Sequence, residues 1–200
     1  MIANPAGFLF FPHRQWQEVA NLDTRQFTPS ILYPLIFAML PCFAWYYGVV
    51  EIGWTIGDHA NVIRLTSESA LKLVVAFYFA MVLAIIAIGY SIHWMAETYG
   101  SESTISKGIA VAGFSATPLF IAGACGFSPL MWLDLSIGII AVFWAVYLIY
   151  VGIPIVMKIP EERGFLYASA VIGVCMVIFM GLMGVSVIMW DMGFMPVFTD

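Results

Sequence analysis

Charged residues are scarce in this chain of 200 residues, where Asp, Glu, Lys and Arg together make up only 10%. Soluble domains carry roughly a quarter of charged residues, so this composition argues against a soluble fold. The seven basic residues are outnumbered by twelve acidic ones and form no cluster. Nucleic acid is therefore not expected as a partner.

Cysteine is also rare, and the three cysteines, Cys42, Cys125 and Cys175, lie far apart in or beside apolar runs. This spacing favours buried apolar side chains over a disulfide framework or a metal site. The chain also lacks a Ser-His-Asp set, an HExxH motif, a P-loop and paired carboxylates. The sequence therefore predicts a protein that is not an enzyme and that holds no cofactor.

Apolar residues, in contrast, make up 62% of the chain and come in long runs. Runs of this length predict an all-α polytopic membrane protein with five transmembrane helices. A Ser128-Pro129 pair is expected to start the fourth helix, and Pro154 and Pro160 are expected to bracket the turn before the fifth. The predicted spans one to five cover residues 30–50, 70–95, 107–126, 129–153 and 165–190.

The N-terminal segment, residues 1–29, is polar with scattered aromatic residues, and Trp16 and Val19 recur at helical spacing. An amphipathic helix in the headgroup region fits this pattern, with Arg14 and Trp16 as interfacial anchors. A helix packed on the end of the bundle fits it equally well. Both interpretations stay open at this point.

Five spans place the two termini on opposite sides, and the distribution of Lys and Arg predicts which side is cytoplasmic. Five basic residues fall on the N-terminal side and two on the other. We therefore expect a cytoplasmic N-terminus and a periplasmic tail at residues 191–200. The five residues are Arg14, Arg25, Lys107, Lys158 and Arg163, and the two are Arg64 and Lys72.

Span three carries a helix breaker in its middle, at Pro118. Proline removes its own N–H and leaves the carbonyl of Phe114 without its usual partner, which in hydrocarbon requires a replacement donor. Ser115 and Thr117 are near enough to help. The sequence therefore predicts a kinked helix.

Small residues recur on one face of span three, four residues apart, at Gly108, Ala112 and Ala116. Such spacing lets another helix approach closely in lipid, so we expect span three to be central in the bundle. Kinked helices also occur in transporters. However, no charged residue lies in the central turns of any predicted span, which argues against a proton-coupled pump.

His93 and Glu97 are the candidate metal ligands, since a spacing of four places them on one helical face. Two ligands do not make a site, and interfacial hydrogen bonding is the favoured interpretation. A methionine face on span five adds a soft-metal alternative, although adaptable packing explains it better. Its residues are Met176, Met180 and Met183.

Several motifs resemble those of bacterial YohC-like inner membrane proteins, which belong to the Yip (Ypt-interacting protein) family. The most specific are residues 113–120, GFSATPLF, and residues 147–154, YLIYVGIP. Weaker matches are Pro12-His13-Arg14 with Trp16, Ile52-Gly53-Trp54, and Lys158 with residues 161–164. The residues assigned to a structural or pore motif are Gly113, Ser115, Thr117, Pro118, Tyr150 and Pro154.

The resemblance covers nearly the whole chain and implies a five-span Yip-domain fold with a cytoplasmic N-terminus. It implies little about activity, because bacterial members have no settled biochemical function. Eukaryotic relatives bind prenylated small GTPases through an acidic N-terminal segment. This chain has no counterpart of that segment, so GTPase binding is not expected.

The leading hypothesis is a non-enzymatic protein of the bacterial inner membrane that acts through helix packing, lipid contact, and association with itself or other membrane proteins. The alternative is a small oligomeric channel or transporter in which the Thr117-Pro118 kink lines the path. A metal-handling protein using His93 and Glu97 is a third and weaker hypothesis.

Overall fold

The computed structural model describes residues 4–22, 31–53, 62–128 and 130–199. Within these ranges the chain is largely helical, with isolated β-bridge residues and no longer strand. The all-α class is therefore confirmed. Some residues used in the predictions lie outside the described ranges, namely Arg25, Ser30, Trp54, Pro129 and Asp200.

Two short helices, α1 (Pro5–Phe10) and α2 (Pro12–Ala20), form the N-terminal helical pair. Each begins with proline, whose fixed φ suits the first turn and whose missing N–H costs nothing there. Asn4 caps α1 by accepting a hydrogen bond from the backbone of Ala6 at 3.1 Å.

Five segments correspond to the predicted spans. Four contain helices long and apolar enough to cross a membrane, and the two helices of span three pass the same test together. Span one is α3 (Leu32–Phe37) and α4 (Met39–Tyr47) with a π-helical turn at Gly48–Ile52, and span two is α5 (Ser67–Met95). Span three is α6 (Ile105–Ser115) and α7 (Thr117–Ala122), span four is α8 (Met131–Met157), and span five is α9 (Glu161–Met189).

Span four continues one turn beyond the predicted end at Ile153, because Pro154 lies inside α8. A proline in the last turn deprives only the carbonyl of Tyr150 of its donor, so the helix survives. The helix ends instead at Lys158, which has φ 54°. This left-handed conformation costs a residue with a side chain about 1–2 kcal/mol, which is why glycine is usual there.

Span four also begins later than predicted, at Met131. The Ser128 hydroxyl accepts a hydrogen bond from the backbone of Leu130 at 3.2 Å, which stabilises the turn before the helix. Ser128 therefore lies two residues before Leu130, the N-cap of α8, and is not itself the cap.

Span three occupies the centre of the bundle, since every residue of α6 from Gly108 to Ser115 is buried. Span two approaches it closely at Gly89. A Cβ atom added at Gly108 would overlap the carbonyl oxygen of Gly89. The small-residue face predicted for span three thus meets a second glycine on span two.

The C-terminal tail returns to the start of span two. After a π-helical turn at Trp190–Phe194, Phe198 forms an antiparallel bridge with Leu65. The backbone N–H of Thr66 donates to Val197 at 2.9 Å, and that of Thr199 donates to Arg64 at 2.9 Å. The tail is therefore fixed to the segment that precedes span two.

Candidate functional site

The break in span three separates α6 from α7 by a bend of 41° at Ala116. Pro118 lies in the first turn of α7, so its missing N–H leaves the carbonyl of Phe114 free. The Thr117 hydroxyl donates to that carbonyl at 2.6 Å. The kink and the replacement donor expected from the sequence are both present.

Span one is tied to this break by a second hydrogen bond. The hydroxyl oxygens of Tyr33 and Thr117 are 2.8 Å apart, and both residues are buried. Because the Thr117 proton is directed to Phe114, Tyr33 is the donor of this bond. The hydroxyl of Thr117 thus serves as donor and acceptor at once.

Two further motif residues lie next to the break. Gly113 lies against Pro34 of span one, since a Cβ there would be 3.1 Å from the proline ring. The Ser115 hydroxyl is buried and has no hydrogen-bond partner within the described ranges. An unpaired buried polar group costs about 1–3 kcal/mol.

The N-terminal helical pair fills the space beneath the break. Phe8 stacks on Phe114 with ring centroids 5.2 Å apart, and Trp16 meets Phe8 edge-on at 5.0 Å. The indole of Trp144, the central residue of α8, donates to the carbonyl of Phe8 at 3.1 Å. The pair therefore reaches the middle of span four instead of staying at its end.

This placement favours the second of the two interpretations left open for the N-terminal segment, a helix packed on the bundle. Trp16, predicted to anchor in the headgroups, is fully buried in the protein instead. Its ring fits against Gly152, where a Cβ would lie 2.6 Å from the indole. Arg14, the other predicted anchor, is exposed and pairs with Glu18 at 3.2 Å.

Tyr150 and Pro154 form a separate cluster between spans four and five. The Tyr150 hydroxyl lies 3.1 Å from that of Ser169, and its ring stacks on Phe165 at 5.2 Å. The Pro154 ring packs against Gly164, where a Cβ would lie 2.6 Å from it. The six predicted motif residues therefore form two clusters and not a single site.

His93 and Glu97 do not share a helical face. The helix of span two ends at Met95, and Glu97 begins a 3₁₀ turn, so the four-residue spacing no longer implies one face. In the part of the chain that the structure describes, no group of three or more His, Cys, Asp or Glu could hold a metal ion. The predicted metal pair thus has no third ligand there.

The Yip1 domain family model matches residues 6–182 of this chain. The chain belongs to the Yip1 domain family. Two relatives are 32% identical over 189 residues, which is 94% of this chain and 96% of theirs. Both are named "Inner membrane protein YohC", one from Escherichia coli strain K12 and one from Escherichia coli O6:H1 strain CFT073. No solved structure matches the chain significantly.

The aromatic contacts join segments of the chain that resemble motifs of the Yip1 family. Trp16 comes from the N-terminal match, Phe114 from the span-three motif and Gly152 from the span-four motif. Trp16 contacts both of the others, and its ring centroid lies 6.4 Å from that of Phe114. The three motifs thus meet at one place in the folded chain.

Sequence reasoning left packing of the N-terminal segment on the bundle open, but it missed how deeply the helical pair is buried in this Yip1 domain. Phe8, Trp16 and Val19 have less than 2% of their surface exposed. One signal was available: the large side chain of Trp16 in α2 has a counterpart without a side chain, Gly152, in span four. That match becomes visible only when the two segments are known to touch.

Proposed function

We propose that this chain is a non-enzymatic integral protein of the bacterial inner membrane, with a cytoplasmic N-terminus and a periplasmic C-terminus. It acts through helix packing, contact with lipid, and association with a second copy or another membrane protein. The names of the YohC relatives support the location, and the Lys and Arg distribution supports the orientation.

The observation that carries the proposal is a set of glycines without neighbours. Gly173, Gly181 and Gly184 lie on one stripe of span five, and no atom lies within 4 Å of a Cβ added at any of them. The buried glycines at other helix contacts, such as Gly89 and Gly152, each face another segment closely. Because glycine lowers helix stability unless it allows close approach, the stripe fits a partner helix.

Contact with lipid is supported by a lateral groove of ≈ 600 Å³ between spans one and two. It is lined mainly by apolar side chains, including Met39, Phe43, Val75 and Phe79. An acyl chain suits a groove of this chemistry, because it offers no polar group that would need a partner.

Self-association can be tested by energy transfer between labelled copies in bilayers. Replacing Gly173 and Gly181 together by Leu fills the stripe, and we expect association to weaken about tenfold or more. Ala87→Leu is the control, since it places a leucine side chain at an exposed position of span two. Unchanged transfer in the glycine variant would contradict self-association through span five.

The alternative of an oligomeric channel is favoured by one observation, the unpartnered hydroxyl of Ser115 in the centre of span three. A cysteine at position 115 or 117 tests it in a chain whose native cysteines are replaced. We expect both positions to resist a membrane-impermeant reagent, while Glu102→Cys in an exposed loop reacts. Labelling at both central positions would favour a water-filled path.

A further inference from the structure

Three basic side chains gather where the connection between spans two and three meets the turn between spans four and five. Lys107 lies in the first turn of α6, Lys158 ends α8, and Arg163 lies in the first turn of α9. Lys107 and Lys158 are close enough for their charges to repel. The guanidinium of Arg163 lies beside Gly100, 2.9 Å from the position of a Cβ there.

Packing holds these two connections together. The Ser101 hydroxyl donates to the carbonyl of Met157 at 2.8 Å, and this bond is buried. Tyr99 stacks on Tyr167 with ring centroids 4.7 Å apart and planes 5° from parallel. The backbone positions of the three basic residues are therefore set by the fold.

Two of these positions are electrostatically unfavourable for cations in the absence of a ligand, and the third is conformationally strained. The first turn of a helix carries partial positive charge, which disfavours Lys107 and Arg163 there. Lys158 adopts the left-handed conformation that glycine would adopt without strain. Helix electrostatics therefore gives no reason for a base at positions 107 and 163, whereas a base at the C-terminal end of α8 is favourable and all three contribute to the Lys and Arg asymmetry.

None of the three bases forms an ion pair within the described ranges. Within the described ranges, ion pairs join Arg14 to Glu18 and Lys72 to Glu68, and neither includes these bases. The acidic residues nearby in sequence are all exposed, and none pairs with the three bases; they are Glu97, Glu102, Glu161 and Glu162.

His93 adds a further donor or acceptor at this end of the bundle. Its backbone nitrogen lies 3.3 Å from the position of a Cβ on Gly108, the residue after Lys107. Its Nδ1 atom is buried and has no partner among the described residues. His93 thus lies near the start of α6, with one imidazole nitrogen unpaired among the described residues.

We infer that Lys107, Lys158 and Arg163 bind the phosphate group of an anionic phospholipid. Helix ends lie at the depth of lipid headgroups, where basic residues attract anionic lipid. The ligand chemistry is a phosphate monoanion, and the neighbouring apolar spans favour one that carries acyl chains. The inference rests on the lipid-contact part of the proposed function and does not depend on self-association.

Native mass spectrometry of the purified full chain tests the site. Phosphatidylglycerol and phosphatidylcholine are offered separately, and we expect wild type to retain the anionic lipid preferentially. Replacing Lys107 and Lys158 together by Gln should weaken retention of phosphatidylglycerol about 30-fold. Lys72→Gln is the matched control, because Lys72 already pairs with Glu68 at 2.7 Å and should leave retention unchanged.

Lys158→Gly separates binding from folding. Glycine adopts the left-handed conformation without strain, so thermal stability should rise or stay the same while retention of phosphatidylglycerol falls. Equal retention of the two lipids by wild type, or undiminished retention by the lysine variants, would overturn the inference. Displacement of the lipid by millimolar inorganic phosphate would overturn the assignment to a lipid and point to a soluble phosphate.

Loss of lipid preference and loss of energy transfer between copies are separate measurements. If the lysine variants retain phosphatidylglycerol as wild type does while energy transfer between copies is intact, only the headgroup site is overturned. If the glycine variant keeps its energy transfer while the lipid preference is intact, only self-association is overturned.

Discussion

The region around the break in span three and the C-terminal half of span five are both apolar, yet they differ in almost every contact. Around the break, Phe8, Trp16 and Phe114 form a closed aromatic cluster in which little surface is exposed. On span five, Met176, Met180 and Val177 are mostly exposed. In a membrane, apolar residues gain little by turning inward, so close packing must come from shape and hydrogen bonds.

This difference separates residues that pack within the chain from residues that the rest of the chain leaves exposed. In the first region, glycines allow an indole ring or the backbone of another helix to approach closely. In the second region, no other segment of the chain lies close to the glycines. Substitutions of the same chemical kind should therefore have different effects in the two regions.

The largest expected effect comes from removing the central indole. Trp16→Ala should lower the free energy of unfolding by about 3–5 kcal/mol, because a large buried side chain leaves a cavity between two helices. Denaturation in detergent micelles followed by circular dichroism measures this change. Trp132→Ala is the control, since 65% of that residue is exposed, and it should change stability by less than ~0.5 kcal/mol.

The effect of a glycine-to-alanine substitution on the free energy of unfolding should have opposite signs in the two regions. Gly108→Ala should destabilise by about 1–3 kcal/mol, because its Cβ would overlap the backbone of Gly89 and force the spans apart. Gly184→Ala should stabilise the monomer by about 0.5–1 kcal/mol through higher helix propensity in open space. Equal effects in unfolding experiments would contradict the contrast between the regions.

The hydroxyl pair at the break should show coupling. Tyr33→Phe removes one donor and should cost about 0.5–1.5 kcal/mol, whereas Thr117→Val also leaves the Phe114 carbonyl unpaired and should cost about 1–3 kcal/mol. A double-mutant cycle measures the coupling energy directly. Strict additivity would mean that the two hydroxyls do not stabilise each other.

The smallest expected effect is at Ser115. Ser115→Ala removes a buried hydroxyl without a partner in the described ranges, so stability should stay equal or rise by up to ~1 kcal/mol. Thermal unfolding of the purified variant measures this. A clear loss of stability would mean that the hydroxyl has a bonding partner, which would remove the observation that favours the channel hypothesis.

Local features of the fold could be predicted from the sequence. The spans follow from apolar runs, and the kink follows from Pro118 because proline removes a specific N–H. Thr117 could also be named as the replacement donor, since it lies within reach along the chain.

Features that depend on distant segments could not be predicted in this way. Trp16 can be buried against span four because Gly152 has no side chain there. The α8 helix continues through Pro154, whose ring packs against Gly164. Glu97 left the predicted face because span two ends two residues earlier, at Met95. No local pattern encodes such pairings.

The hydrogen bonds between the C-terminal tail and the start of span two also restrict how the chain is threaded through the membrane. A chain that leaves one face and returns to it must cross an even number of times. Thr66 and Val197 are joined at 2.9 Å, and spans two, four and five lie between them. If spans two, four and five each cross, three crossings would separate these residues by the bilayer thickness of about 30 Å, and a fourth crossing by the bent pair of span three would return them to one face.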